Sequence, residues 1–290
     1  MKLVEVIYRY DGADAAARPR PVDAEGARQR LDEGSRAIAT LLAGRAEGSD
    51  TAQRVITVDP RDLGIAAGDR RTPKQTPYAA VLGCSDARVP IELIFNEGPN
   101  DLFVVRVAGN GLGTEVLGSL NYAADHLGEG LKLIVVIGHS GCGAVASAAD
   151  VFLNPKAYLG LAVNHSLRTI LDRLLVAVHA AAKRLAAEYG PEVARRRGYR
   201  DALIEVAVAS NAALVAFTLQ QELAGMGKAD LRAAYGVYLL AEHKVWVPAR
   251  DGAGKDGLAY PPANAAGFAE FADAVVRSGR IAALLDHDAD

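Results

Sequence analysis

Sulfur is scarce in this sequence: its 290 residues include two cysteines and two methionines. With Cys84 and Cys142 as the only thiols, a disulfide-stapled scaffold is excluded, because at most one bridge could form. Neither sign of charge is in excess, since 32 Lys and Arg stand against 35 Asp and Glu for a formal net charge of −3. No broad positive field is therefore available to hold nucleic acid or an anionic membrane. No uncharged run reaches the roughly 18 residues that mark a membrane-crossing helix. The opening segment MKLVEVIYRYDGADAAARPRP has acids in its first turns and lacks the apolar core of a secretory signal. We therefore expect a cytoplasmic globular protein that uses neither nucleic acid nor membrane. In a reducing compartment its two thiols are better suited to metal ligation or catalysis than to a bridge.

What is abundant is apolar content, at 50% of residues, which is ample for a large core. Internal repeats are absent, so the expectation is one domain over residues 1–290. It comprises an N-terminal arm and helix (1–50), a core (75–250) carrying a helical elaboration (150–226), and a tail (250–290). Residues 23–44 space Leu31, Ile38, Leu41 and Leu42 as one face of an amphipathic helix, preceded by a polar leader. Residues 48–76 mix Asp, Pro, Gly and Arg and read as an irregular connector.

Three short apolar runs follow, AAVLG (79–83), DLFVVRV (101–107) and LKLIVVIG (131–138), with helical patterns between them at 90–95 and 114–127. Near-continuous apolar strands alternating with helices imply α/β architecture: a central, mostly parallel β-sheet with right-handed crossovers and flanking helices. A helix at 144–153, an Ala- and Leu-rich tract at 161–226 broken at Gly190-Pro191, and a strand pair at 235–242 and 244–249 add extra helices and an edge.

Cys84 follows the first apolar strand. His139 follows the third, and Cys142 lies three residues further on in GHSGCG. Residues just past the carboxyl ends of neighbouring parallel strands converge on one crevice. Two thiolates and one imidazole meeting there suit Zn²⁺, and three protein ligands leave a fourth position for chemistry. A closed structural site would need another ligand, but His126, His165, His179, His243 and His287 show no such pairing. Taken singly, Cys84 reads as ordinary core packing; the convergence with His139 and Cys142 outweighs that. Asp86 and Arg88 come two and four residues after Cys84, close enough for the guanidinium to hold the carboxylate ionised and oriented. Such a carboxylate can accept a hydrogen bond from a reacting water or swing in as a fourth ligand.

The segments CSDARVP (84–90), RVAGN (106–110) and GHSGCG (138–143), with ELIFNEGPNDLFVVR (92–106), SLNYAADHL (119–127) and YGVYLL (235–240), resemble the β-class carbonic anhydrases over roughly residues 25–250. The resemblance implies zinc held by Cys84, His139 and Cys142, with Asp86 and Arg88 as a catalytic dyad. It implies reversible hydration of CO₂ to bicarbonate and a proton by zinc-bound hydroxide. It also implies a substrate pocket near Gln75, Phe103, Val107, Ala108 and Tyr122, partly formed across a dimer interface, so a homodimer or a multiple of dimers is expected. Val107 stands where the family usually has Asn, and residues 150–205 are longer than in a compact member. Two alternatives share this scaffold: a carbon disulfide or carbonyl sulfide hydrolase, and a non-catalytic bicarbonate- or zinc-binding regulator.

Overall fold

The computed structural model describes residues 3–16, 19–43, 51–65, 72–161, 165–228, 230–249 and 251–286. Parts of the expected connector, including 66–71, and His287 lie outside the described residues. The chain opens with β1 (Leu3–Tyr10), a short helix α1 (Gly12–Ala16), α2 (Ala24–Leu42) and β2 (Thr51–Val58). Helix α2 is the expected amphipathic helix, started by the Asp23 side chain accepting from the amide of Gly26 at 2.7 Å.

β1 and β2 pair in parallel, from Leu3 beside Thr51 to Tyr10 beside Val58, as a separate two-stranded sheet. The even-numbered face of this sheet, with Val6 and Ala52, packs on Ile38 and Leu41 of α2. This corrects the reading of a polar leader and an irregular connector. Gln53 and Arg54 interrupt the apolar run of β2, and the partner strand lies on the far side of a 19-residue helix, so nothing local reveals the pairing.

The main sheet is built from β3 (Ala79–Gly83), β4 (Leu102–Arg106), β5 (Leu133–His139), β6 (Arg232–Leu239), β7 (Lys244–Val247) and β8 (Lys255–Asp256). Between β3 and β4 lies α3 (Ile91–Ile94), and between β4 and β5 lies α4 (Thr114–His126). After β5 come α5 (Gly143–Leu153), α6 (Lys156–Leu161), α7 (His165–Tyr189) and α8 (Tyr199–Gly225), and the chain ends in α9 (Ala265–Val276) and α10 (Gly279–Asp286). The strand order is β4-β3-β5-β6-β7-β8, with the first four parallel and the last two antiparallel.

Every residue of β3 and β5 is buried, as their unbroken apolar sequences require. Alternate side chains serve opposite layers. Ala80, Leu82, Ile134 and Val136 join the core built on α7 and α8, while Val81, Leu133, Val135 and Ile137 face Leu31 of α2 and Ile91 and Phe95 around α3. Helix α8 is long and apolar enough to cross a membrane, although Glu205 and Glu222 interrupt its uncharged run. Here 72% of its apolar window is buried within the fold, as in a core helix.

Candidate metal centre

Cys84 comes directly after β3 and His139 ends the adjacent parallel strand β5, so both stand at the carboxyl edge of the sheet. The chain runs from β3 outward to β4, then crosses to β5 on the other side of β3. Connections thus diverge between β3 and β5, which is where an open α/β sheet forms its ligand crevice. Cys142 joins them because Gly141, at φ +62°, turns the chain back in a conformation that favours glycine. Cys142 then caps α5, whose first amides face its sulfur.

The two sulfurs are 3.9 Å apart, and the ligand atoms of Cys84, His139 and Cys142 all lie within 4.8 Å of one another. All three residues are buried and both thiols are free. The separation is far beyond a disulfide bond of about 2.05 Å. It is close to the edge of about 3.8 Å that a tetrahedron with zinc–sulfur bonds of about 2.3 Å would have. His139 Nδ1 is 3.0 Å from the carbonyl of Ser140, which places its proton there and leaves Nε2 as the electron-pair donor. That Nε2 is buried without a hydrogen-bond partner. An orphaned imidazole nitrogen beside two thiols is the arrangement a zinc ion satisfies.

The thiols themselves call for a cation. Cys84 is pushed down, first by the Cys142 S–H that donates to its thiolate, with help from His139 and from the amide of Gly109 at 3.3 Å. Cys142 is pushed up, because it keeps that proton and is desolvated. Positive charge in their midst would favour both thiolates.

Asp86 sits at the rim with both carboxylate oxygens engaged by Arg88, Nε to Oδ1 at 3.0 Å and Nη2 to Oδ2 at 2.7 Å, and with the Arg88 amide also donating to Oδ1 at 2.9 Å. This arginine holds the carboxyl well below the usual carboxylate range. Asp86 Oδ2 points back towards the donors, 3.8 Å from His139 Nε2. Arg106, at the end of β4, fixes the loop by donating to the carbonyls of Cys84 at 2.9 Å and Asp86 at 2.5 Å.

Two supporting residues escaped the sequence reading. Glu205 of α8 accepts from the amide of Gly141 at 2.7 Å and so holds the turn between His139 and Cys142. Asn211, one α8 step further, donates at 3.0 Å to the carbonyl of Gly109, whose own amide reaches Cys84. Their signal was present: Glu205 and Asn211 are polar interruptions in the otherwise apolar stretch ALIEVAVASNAALVAF.

The remaining pocket residues are placed unevenly. Val107 and Ala108 adjoin the donors in the turn after β4, where the Val107 amide donates to Gly83 O at 3.1 Å. Phe103 does not; it lies lower on β4, beside Ala80, half-buried against the main core. Tyr122 is 49% exposed on α4 and stacks on His126. Gln75 is exposed before β3, at the opposite end of the strand from Cys84. The structure therefore does not bring Gln75, Phe103 or Tyr122 to the donors within one copy of the chain. The spacing of nine residues between Gln75 and Cys84 is taken up by an extended strand, which carries them apart.

Residues 79–236 match the carbonic anhydrase family model, more than half of the chain. Over 92 residues the chain is 48% identical to carbonic anhydrase 2 of Mycobacterium tuberculosis (strain CDC 1551 / Oshkosh), covering 32% of this chain and 40% of that protein. Over 82 residues it is 48% identical to a carbonic anhydrase of Mycolicibacterium smegmatis, covering 28% of this chain and 39% of that one. The alignments thus span about two fifths of these relatives' length. Among solved structures, the β-carbonic anhydrase CcaA is similar at 27% identity and a TM-score of 0.45, over 59% of this chain and 79% of that one.

Proposed function

We propose, because the chain belongs to the β-class carbonic anhydrase family, that it catalyses the reversible hydration of carbon dioxide to bicarbonate and a proton, with zinc held by Cys84, His139 and Cys142. The observation that carries this reading is the buried trio of two free thiols and an imidazole Nε2 without a partner, next to an arginine-bound carboxylate. Zinc bound there would supply a Lewis acid that lowers the pKa of water.

The chain's own groups do the rest. Asp86, ionised under Arg88, accepts the hydrogen bond of the attacking water and so aims its lone pair at carbon. Arg88 engages both Asp86 oxygens and so would hold the carboxylate back from a bound metal. Val107 and Ala108 form an apolar wall for CO₂ beside Cys84. Gln75, Phe103 and Tyr122 belong to the pocket through a second copy of the chain, which makes a homodimer the minimal working unit. A reducing, cytoplasmic location agrees with the two free thiols.

Stopped-flow CO₂ hydration on purified protein, with metal analysis, tests this directly. Asp86→Asn is expected to keep about one zinc per site and to lose about 10²- to 10⁴-fold in turnover. Cys84→Ser and His139→Ala should lose the metal. Full hydration by Asp86→Asn, or protein without zinc affinity, would overturn the proposal.

A further inference from the structure

Strand β1 carries a surface that the hydration chemistry does not use. It lies outside the residues that match the family model. One edge of β1 pairs with β2; among the described residues no strand pairs with the other. At eight residues it is longer than a typical strand, and LVEVIYRY contains no proline. A free edge is normally blunted by shortness, a proline, a bulge or a charge turned inward. Here the only charges within the strand, Glu5 and Arg9, share the outward face with Leu3 and Ile7, opposite the face on which Val6 packs against α2.

The exposure of this strand is also uneven for its chemistry. Leu3, Val4, Ile7, Tyr8 and Tyr10 are all exposed large apolar residues, between 37% and 57%. Val4, Tyr8 and Tyr10 share the face of Val6 and remain exposed on the outermost strand of the sheet. A further strand would bury them.

We propose that the partner is a second copy of this chain, its β1 pairing antiparallel with β1 about a two-fold axis through Ile7. The sequence of the strand is self-complementary in that register. Glu5 falls opposite Arg9 of the second copy, and by symmetry Arg9 opposite Glu5. Val4 meets Tyr10 and Val6 meets Tyr8, the β-branched and aromatic cross-strand pairs that stabilise a sheet. The neighbouring registers fail. Centring on Tyr8 sets Glu5 against Asp11, and centring on Val6 sets Glu5 against Ile7 and Arg9 against Leu3. A slip of a single residue between the strands turns the apolar set to the wrong face. The result is a four-stranded sheet, β2-β1-β1-β2, with both copies of α2 on one side. The contact is isologous and separate from the one that shares the pocket, so it joins pocket dimers into a larger assembly.

The test is a charge swap with a cross-link, read by mass rather than by activity, so its failure is separate from failure of the hydration proposal. Analytical ultracentrifugation of the zinc-loaded full chain should show, beyond the dimer that shares the pocket, a further association step that Glu5→Arg or Arg9→Glu weakens by about tenfold or more, because each reversal sets like charges face to face twice. The double variant Glu5→Arg/Arg9→Glu should restore it. Ile7→Cys should form a covalent dimer under mild oxidant, since the two Cα atoms at the axis would lie about 4.5–5.5 Å apart, within disulfide reach. The native thiols are buried in the metal site and do not compete. Single reversals that leave the assembly unchanged, a swap that does not rescue, or Ile7→Cys that forms no covalent dimer on oxidation would each overturn the inference.

Discussion

The donor set decides how the reaction should respond to pH. Two thiolates would cancel the formal charge of a bound Zn²⁺, so water would be acidified less there than by zinc on three neutral histidines, for which the pKa is about 7. CO₂ hydration should therefore rise from pH 7 into the alkaline range, and a flat rate profile from pH 6 to 9 would contradict this. Asp86 is not the group titrating in that window. Its pKa is depressed by Arg88, so its charge, and the stabilisation that goes with it, is present above the ordinary carboxylate pKa of about 3.9 and lost only as pH falls through its low folded value. Glu205 acts one step back from the metal. Replacing it with alanine removes the acceptor of the exposed Gly141 amide, a net loss of about 0.5–1.5 kcal/mol because water can take the acceptor's place. It also loosens the turn that joins His139 to Cys142. In a chelator competition, Glu205→Ala should bind zinc more weakly, by about tenfold. Glu205→Gln keeps an acceptor and should stay near the parent; equal zinc loss in both variants would show that charge, not the hydrogen bond, is what matters.

At the scale of elements, glycine reports how tightly the layers meet. Gly34 lies inside α2, where alanine ordinarily stabilises a helix by about 1 kcal/mol. A Cβ at this position would fall 1.9 Å from the carbonyl oxygen of Phe95, just after α3. Gly34→Ala should thus invert the usual sign and destabilise by about 1–3 kcal/mol, by forcing α2 off the sheet. Gly118, on the exposed side of α4, has no atom within 4 Å of its Cβ position and should show the ordinary gain. Urea midpoints of the two variants moving in opposite directions would confirm the packing; a shared direction would refute it. The same contrast explains what was legible in sequence. β3 and β5 are buried on both faces, so each position had to be apolar and the strands announced themselves. The motif residues were legible because they follow those strands directly. β1 and β2 are half-exposed, carry Glu5, Arg9, Gln53 and Arg54, and depend on each other across α2, so no local period marks them. Glu205 and Asn211 serve the site from a helix more than 60 residues after Cys142, through backbone contacts that no side-chain motif encodes.

The whole molecule sets a limit on what one chain can do. Gln75 precedes a strand that rises about 3.3 Å per residue over five residues, so about 16 Å of sheet separates it from the end where Cys84 stands. It cannot line its own crevice. If Gln75 belongs to a CO₂ pocket, as membership of the family implies, it reaches the site of another copy, and activity becomes a property of the assembly. Two defective chains should then repair one another. An Asp86→Asn chain retains Gln75, and a Gln75→Ala chain retains Asp86. In a mixed dimer, the metal site of the Gln75→Ala chain receives an intact Gln75 from its neighbour and is complete, while the other site carries both lesions. After subunit exchange at equal concentrations, half of the dimers are mixed and each has one complete site, so hydration should recover to about a quarter of the parent rate. Recovery to no more than the average of the two variants' own rates would mean that Gln75 does not act across the interface, and the pocket would then have to be built from Val107, Ala108 and their neighbours alone.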